Sequence, residues 1–425
     1  MRVHIIGINY WPEVTGIAVF STGRAEHLAS AGHDVTMCAA VPYYPQWRVP
    51  AEYRGLKFTR EARAGVAILR CPLYVPSAVN PIRRVLHEAS FIASGFLRSL
   101  FCRRPDVLFV VSPPLGLAVA AVILSWLWRV PYVFHVADLQ PDTALDLGMV
   151  GPGRVARLLY AVEHLAYRRA ALVSTLTDAM RARIIAKGIP AEKVVLFADW
   201  ADPQLFALAG GQSALIRQEL GLGDAFLVLH AGNIGVKQGL DVVLDAAHQT
   251  RSNSGIVYLL VGDGAMRPHL EARARALALD NVRIVPLMDH ERFLRVLAAA
   301  DVCLVTQQRT VADVVFPSKV LTLLAAGKPV IASVTSGSAV ANVIAGAGAG
   351  MVVRPEDGVA LATAIEELRG DPSRRAGMGT AGRAYASSHW ERTATLRYLT
   401  DTVERVAVAS STGAAPVAAK SRPRG

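Results

Sequence analysis

Short apolar runs alternate with helical patterns through the first half of the chain. Six runs are rich in Val and Ile and show little polar alternation: RVHIIGI, DVTMCAA, VAILRCP, VLFVVSP, YVFHVAD and ALVSTLT. Strands buried on both faces have this character, and several of the intervening segments are long enough for crossover helices. The pattern therefore predicts a parallel sheet covered by helices.

The same pattern starts again in the second half, with AFLVLHAGNIG, IVYLLVGDG, VRIVPLM, DVCLVTQ, PVIASV and GMVVRPED. At 425 residues the chain is too long for one ordinary core. We therefore predict an N-terminal Rossmann-like domain over 1–204 and a second over 205–385. A helix is expected at 386–408, returning to the first domain, and the small, basic, low-complexity segment 409–425 is typical of a disordered tail.

Two apolar segments are too short for membrane targeting or spanning. The run at 115–128 has 14 residues, below the length of a bilayer span, and predicts a buried helix. The N-terminal MRVHIIGINYWPE is too short for a signal peptide and predicts the first strand.

Positive charge is in excess, with Lys plus Arg at 45 against Asp plus Glu at 34. The excess favours an anionic partner, either a phosphate-bearing ligand, a nucleic acid or an anionic membrane. No basic patch is interleaved with aromatic residues, which argues against nucleic acid. The four cysteines have no paired spacing, so neither a zinc site nor a disulfide framework is indicated, and a reducing compartment fits.

Ligands of open α/β sheets lie beyond the carboxyl ends of the strands, so the loops there are the candidate sites. The first loop, from Gly7 to Gly16, leads into a helix and offers free backbone N–H groups to a phosphate. It lacks the GxGxxG dinucleotide fingerprint. A plain strand-to-helix loop is the alternative.

The first loop of the second half, HAGNIGVKQGLD, is a stronger anion candidate. Its small residues permit close backbone approach, and a lysine lies at the start of the next helix. The alternative is a glycine turn with a solvated lysine. The candidate residues are Gly232, Asn233, Gly235 and Lys237. A weaker copy of the pattern follows the next strand, at Gly262, Asp263 and Gly264.

A Pro-Ser-Lys sequence precedes the apolar helical run in VVFPSKVLTLLAAGKPV, residues 314–330. Pro317 suits the first turn of a helix, where its missing N–H costs little. The Ser318 hydroxyl and the Lys319 ammonium add donors to the free N–H groups, as in a diphosphate cradle. The alternative is a helix N-cap beside a surface lysine.

In the first half, His135 and Asp138 lie at the end of the strand YVFHVAD, and Asp142 follows. A histidine at such a position is either a satisfied core residue or a functional group, and the nearby carboxylates leave both readings open.

These motifs together resemble glycosyltransferase family 4. The resemblance covers residues 1–405 and is carried by the N-terminal block from Gly7 to Trp47, by CPLYVP, by GNIGVKQGLD, by VGDGAMRPHLE and by FPSKVLTLLAAGKPV. It implies a GT-B fold, with two doubly wound domains facing a central cleft. It also implies a retaining transfer from a nucleotide-diphosphate sugar, with no further cofactor and no obligatory metal.

The resemblance also implies roles for individual residues. The second domain would hold the nucleotide, with Ser318 and Lys319 on the diphosphate, and the first would hold a lipid-linked or glycan acceptor. Asp138, with His135, would face the reacting sugar or the acceptor hydroxyl. The remaining donor residues would be Gly16, Gly232, Asn233, Gly235, Lys237, Gly262, Asp263, Asp313, Pro317 and Thr322.

The chain departs from the family where many members carry a pair of glutamates. Val314 and Thr322 stand at those positions, with Asp313 next to the first as a substitute and the Thr322 hydroxyl available to a ribose. The branch that the motifs most resemble acts in colanic acid biosynthesis, which makes GDP-fucose the first donor to consider.

The segment 82–104 carries apolar residues at helical spacing, flanked by arginines and only one acid, Glu88. A basic amphipathic helix of this kind lies on anionic membranes. The family's polysaccharide-assembly members act at the cytoplasmic face, so a cytoplasmic protein with peripheral membrane contact is expected. The alternative is a helix whose apolar face packs on the sheet.

Two other functions share this architecture. A nucleotide-sugar epimerase would bind the same ligand and need no acceptor. A non-catalytic partner protein would keep the fold without turnover, which the threonine at position 322 keeps open.

Overall fold

The structure, a computed structural model, describes residues 1–14, 16–55, 57–78, 80–146, 150–208, 213–253, 255–311 and 316–412. Contacts divide the chain into two compact units. The first unit comprises Met1–Asp199 together with the chain from Thr393, and the second comprises Trp200–Arg392.

The first unit contains one sheet, in the order β3-β4-β2-β1-β5-β6-β7-β8. Its strands are β1 (Arg2–Ile6), β2 (Asp34–Ala40), β3 (Thr59–Arg63), β4 (Val66–Cys71), β5 (Val107–Ser112), β6 (Tyr132–Val136), β7 (Leu172–Thr175) and β8 (Val194–Leu196). Only β3 among them pairs antiparallel, with β4. The helices are α1 (Ile17–Ser30), α2 (Pro81–Leu100), α3 (Leu117–Trp128), α4 (Gln140–Asp146), α5 (Arg154–Arg169) and α6 (Asp178–Ala186).

The second unit contains a parallel sheet in the order β11-β10-β9-β12-β13-β14. Its strands are β9 (Phe226–Ala231), β10 (Ile256–Val261), β11 (Val282–Val285), β12 (Val302–Thr306), β13 (Val330–Ser333) and β14 (Gly350–Val353). The helices of this part are α7 (Pro203–Phe206), α8 (Ser213–Glu219), α9 (Asp241–Gln249), α10 (Arg267–Ala276), α11 (His290–Ala299), α12 (Lys319–Ala325), α13 (Ala339–Gly346), α14 (Gly358–Gly370) and α15 (Pro372–His389). A last helix, α16 (Arg392–Thr412), belongs almost entirely to the first unit.

All twelve strands that the apolar runs predict are present, and the prediction of two α/β domains with parallel sheets is confirmed. Central strands such as β5 and β6 are buried along their whole length, which is why their sequences lack alternation. Two strands, β3 and β8, were not predicted. Both lie at edges of the sheet, where β3, with the sequence TREAR, carries charged residues to solvent.

The C-terminal segment differs from its prediction. Instead of one helix over 386–408, α15 ends at His389 and α16 begins at Arg392, with the largely buried Trp390 between them packed against Tyr385. Helix α16 extends to Thr412, so the first four residues of the expected tail are helical. The rest of that segment, 413–425, lies outside the described residues.

The helix expected to be buried at 115–128 is buried on one side only. In α3, Leu117, Ala121 and Leu124 pack inward, whereas Trp126 is 77% exposed. No helix among the described residues combines the length and apolar character needed to cross a bilayer.

Candidate functional site

The candidate donor site of the second unit is built from loops that follow β9 and β10 and from the start of α12. The first two loops are locked together by hydrogen bonds: the Ile234 N–H donates to the Asp263 carbonyl at 2.8 Å, and the Met266 N–H to the Ile234 carbonyl at 3.0 Å. These bonds hold two strand ends in one rigid surface.

Two glycines make this close approach possible. A Cβ at Gly262 would lie 1.9 Å from the Gly232 carbonyl oxygen, and one at Gly264 would lie 2.4 Å from the Ile234 carbonyl oxygen. Gly264 also has a φ of 152°, which L side chains rarely adopt. The sequence motif VGDG is therefore a packing requirement of the loop that follows β9.

Lys319 is the cation of this site. Its side chain is partly buried and approaches the loop after β9, because a Cβ at Gly232 would lie 3.6 Å from the Lys319 ammonium nitrogen. The ammonium lies 3.4 Å from Nε2 of His230, the fully buried histidine near the end of β9. Burial lowers the pKa of Lys319 to about 7, so an anion that restores its charge gains a strong partner.

His230 was not singled out in the sequence. Burial first, and the neighbouring Lys319 charge second, hold the pKa of His230 well below its ordinary value. The neutral imidazole can accept a hydrogen bond from the lysine and orient it. The only sequence signal was its place directly before the glycine loop, at the carboxyl end of a strand.

The Pro-Ser-Lys turn differs in detail from its prediction. Helix α12 begins at Lys319, two residues after Pro317, and Ser318 occupies the N-cap position without a capping hydrogen bond from its side chain. Ser318 is exposed and Lys319 is partly buried, so the turn has the helix N-cap of the alternative but not its solvated lysine.

The other predicted donor residues are spread around this cluster. Asn233 and Asp263 are exposed within the locked loops, and Lys237 lies in a short 3-10 turn whose carbonyl accepts the Gln308 N–H at 2.9 Å. Gly235 is tied to Gln238 in the same turn. Thr322 is partly buried in α12, and Asp313 falls outside the described residues.

In the first unit, His135 lies inside the sheet. Its ring is fully buried, stacks on Phe109 with centroids 5.8 Å apart, and bonds through Nδ1 to the Ser174 hydroxyl at 3.0 Å. Burial, followed by the charge of Arg24, holds the pKa of His135 well below its ordinary value. This geometry favours the core alternative over a catalytic role.

Asp138 remains at the carboxyl end of β6 and is only partly buried. One of its oxygens accepts a hydrogen bond at 2.6 Å from the hydroxyl of Thr143 in the first turn of α4, which fixes the carboxylate just before that helix. Asp142 instead pairs with the Lys187 ammonium at 2.5 Å and is part of a structural ion pair.

The loop after β1 is braced by a buried carboxylate that was not identified from the sequence. Glu13 accepts the backbone N–H groups of Tyr43 and Tyr44, each at 2.9 Å, and the Asn9 amide at 2.8 Å. Burial raises its pKa, against the opposing effect of these hydrogen bonds. The loop ends at Gly16, whose φ of 60° requires glycine directly before α1.

Comparison with known proteins agrees with this architecture. Residues 15–200 match the family described as "Glycosyl transferase 4-like domain", and residues 212–385 match "Glycosyl transferases group 1". Among the described residues, no group of three or more His, Cys, Asp or Glu side chains is arranged to hold a metal ion.

The chain is 36% identical over 334 residues to the putative colanic acid biosynthesis glycosyl transferase WcaI of Escherichia coli K12, covering 77% of this chain and 82% of the relative. It is 24% identical to the GDP-mannose-dependent alpha-(1-6)-phosphatidylinositol monomannoside mannosyltransferase of Mycolicibacterium smegmatis, over 84% of this chain and 87% of that one. The crystal structure of Anabaena HepE in complex with UDP superposes with a TM-score of 0.70 at 17% identity, covering 95% of this chain and 100% of HepE.

Two α/β units of this kind, with a lysine and glycine loops at the strand ends of the second, define a glycosyltransferase of the GT-B fold. The chain belongs to glycosyltransferase family 4.

Proposed function

We propose that this glycosyltransferase moves a sugar from a nucleotide-diphosphate sugar to a lipid-linked or glycan acceptor in exopolysaccharide assembly, with retention of the anomeric configuration. The observation that carries the proposal is the Lys319 ammonium, held 3.4 Å from His230 and against Gly232. In this role Lys319 binds the diphosphate of the donor. Its hydrogen bond strengthens as the leaving phosphate gains charge, which lowers the barrier to transfer.

The donor proposed first is a GDP-sugar, and GDP-fucose in particular. Support comes from the Escherichia coli relative, named for colanic acid biosynthesis, and from the Mycolicibacterium relative, named as GDP-mannose-dependent. The second relative's name also contains a phosphatidylinositol acceptor, which supports a lipid-linked acceptor here. No cofactor and no obligatory metal are part of the proposal.

Asp138 is proposed to face the reacting sugar or the acceptor hydroxyl. Its position at the end of β6 and the Thr143 hydrogen bond support this, because a catalytic carboxylate needs a fixed orientation. We expect Asp138→Asn to lower kcat strongly without lowering the melting temperature. Asp224→Asn, at an exposed aspartate of the second unit, is the matched control.

The first test is binding of GDP, UDP and dTDP to the purified protein, followed by transfer assays with the corresponding sugars. A ligand that binds only the folded state raises its apparent stability. We expect a shift with GDP that disappears in Lys319→Ala, and a loss of roughly 2–4 kcal/mol of transition-state stabilisation in that variant. Lys57→Ala, at an exposed lysine of the first unit, should behave like the wild type.

Four results would contradict parts of this proposal. Unchanged kinetics in folded Lys319→Ala would remove the diphosphate assignment. An isomerised sugar formed without any acceptor would instead identify an epimerase, and nucleotide binding without turnover a non-catalytic protein. A product of inverted configuration, seen in the coupling constants of its anomeric proton, would overturn retention.

Peripheral contact with the cytoplasmic face of the cell membrane is the last part of the proposal. Helix α2 packs on the sheet through His87, Phe91, Gly95 and Ser99, and most of its apolar stripe is exposed. Phe96 and Leu100 of that stripe are partly buried against the core, so the alternative of inward packing holds for these two residues only. Helix α3 contacts both α2 and α5, and all three helices carry exposed apolar residues. In and directly after these helices, the exposed apolar residues are Ile82, Val85, Leu86, Leu97, Phe101, Val119, Ile123, Trp126, Leu127, Val155 and Leu158.

Exposed arginines, including Arg83, Arg84 and Arg157, accompany this apolar surface. Apolar and basic side chains on one surface are typical of helices that lie in an anionic interface. Co-sedimentation with phosphatidylglycerol-containing vesicles tests this. We expect Trp126→Ser to weaken binding and Leu215→Ser, at a residue 72% exposed in the second unit, to leave it unchanged. Equal binding by both variants would refute the contact.

A further inference from the structure

A second candidate site lies in the first unit, at the end of the sheet opposite to the loop that follows β1. It is a cavity of about 440 Å³ between the amino ends of β1 and β2 and the end of α2. Its charged lining consists of Arg2, Arg60, Arg98, Arg103 and Asp34, and Phe101 stands beside them. The volume is within the range of small-molecule sites.

The strand register explains how these residues meet. In the strand register, Arg2 of β1 lies opposite Asp34 of β2, and Arg60 of the antiparallel edge strand β3 lies opposite Leu69 of β4. Alternation along the strands places these side chains on the sheet face that α2 covers. The last turn of α2 then adds Arg98, and the segment after it adds Arg103.

The cavity is strongly positive. Four guanidiniums and one carboxylate, that of Asp34, line it, and a second carboxylate nearby, that of Asp106, accepts the Arg2 backbone N–H at 2.6 Å. The buried His4 adds no charge at neutral pH because burial lowers its pKa to about 4. The Nε atom of Arg98 is buried and has no hydrogen-bond partner within the described part of the chain. A buried N–H without an acceptor, among like charges, is costly unless an anion completes the site.

We propose that this cavity binds a phosphate-bearing ligand. Guanidinium groups match phosphate oxygens with paired donors, and such charge-assisted hydrogen bonds are the strong ones. The phosphate belongs either to a soluble phosphorylated molecule or to the headgroup of an anionic lipid. The lipid is included because Phe101, beside the cavity, is 79% exposed and adjoins the apolar stripe of α2. This site is separate from Lys319, so it does not depend on the proposed donor or reaction.

Cys102 provides a local readout. It lines the cavity and is partly exposed, whereas the other three cysteines, Cys38, Cys71 and Cys303, are buried. Burial raises the pKa of Cys102 to about 11, although the Arg98 and Arg60 charges oppose this. Because the thiolate is the reactive form, alkylation of Cys102 is slow enough to follow by mass spectrometry. A ligand in the cavity should slow the reaction further.

The experiment measures Cys102 alkylation in the full chain with and without inorganic phosphate, against sodium chloride of equal ionic strength. We expect phosphate to protect Cys102 in the wild type and in Lys319→Ala, in which the donor site is disabled. Arg60→Gln and Arg98→Gln should each weaken phosphate binding about tenfold, as expected for one lost charge-assisted bond. Arg251→Gln, at an exposed arginine of the second unit, should retain full protection.

A second arm replaces phosphate with phosphatidylcholine vesicles that contain phosphatidic acid. Protection by inorganic phosphate supports the site with a soluble ligand, and protection by these vesicles alone supports it with a lipid headgroup. Protection equal to that of sodium chloride in both arms overturns the site. So does a half-protecting concentration of phosphate that is the same in Arg60→Gln as in the wild type. Since Arg60 is exposed on an edge strand, that variant is expected to fold even if Arg98→Gln does not.

Discussion

Replacing Lys319 with methionine should stabilise the protein and weaken donor binding at the same time. The ammonium is held in a partly buried position where its main neighbour is the neutral His230, so the free protein bears a cost for this charge. A diphosphate would supply the missing counter-charge. Methionine has similar length and no charge, and removes both the cost and the binding group.

The magnitude follows from the pKa. The difference between 10.5, the ordinary lysine value, and about 7 corresponds to roughly 5 kcal/mol. Because Lys319 is only partly buried and water screens part of this effect, we expect the variant to gain about 2 kcal/mol in free energy of unfolding. Nucleotide affinity should fall about tenfold or more, the scale of one hydrogen bond to a charged group.

The gain in stability should depend on pH in a defined direction. Between pH 7 and 10.5 the unfolded lysine holds a proton that the folded one has lost, so wild-type stability rises across this interval. Methionine does not titrate. Its advantage should therefore be largest at pH 7 and below, and should disappear as the pH approaches 10.5.

Urea unfolding at several pH values measures the first effect, and calorimetric titration with GDP measures the second. Lys328→Met is the matched control, because the Lys328 ammonium donates to the Ala298 and Ala300 carbonyls at 2.7 and 2.9 Å. That variant should lose stability and keep its nucleotide affinity. A destabilised Lys319→Met, or one that binds GDP as the wild type does, would refute the reasoning.

Two further predictions concern a close backbone contact at Gly262 and the ion pair of Arg24 with Asp199. Gly262→Ala would place a methyl group 1.9 Å from the Gly232 carbonyl oxygen, so we expect the free energy of unfolding to fall by about 3 kcal/mol and nucleotide binding to weaken. Urea unfolding and calorimetry measure these two effects. Gly377→Ala, at an open position inside α15, should instead stabilise the protein by up to about 1 kcal/mol. Arg24→Met should cost about 3–5 kcal/mol because it leaves the largely buried Asp199 carboxylate without the guanidinium 2.6 Å away. Adding Asp199→Leu should recover much of that loss in thermal unfolding. An equally unstable double variant would contradict the ion-pair explanation.

Much of the fold could be predicted from the sequence because buried parallel strands have a distinctive composition. Strands such as β5, with the sequence VLFVVS, are covered on both faces, so a short run of apolar or small residues rich in valine predicts them. The edge strand β3 was missed for the same physical reason. Its sequence, TREAR, faces solvent and resembles a polar loop.

Helix α2 shows where periodicity stops being informative. The spacing of Ile82, Leu86 and Leu97 indicates an apolar stripe but not the direction in which it points. In α2 the sheet packs against Phe91 and against the backbone at Gly95, because glycine lets the helix approach closely. Most of the aliphatic stripe is left outside.

The sequence by itself determined the two α/β units, their strands and the set of glycine and lysine residues at the strand ends, because these depend on local composition and spacing. Only the tertiary structure decided which of those residues act together. It brought Lys319 to His230 across 89 positions of the chain, and placed His135 among aromatic rings inside the sheet. Contacts of such range depend on strand order and loop packing, which no local pattern encodes.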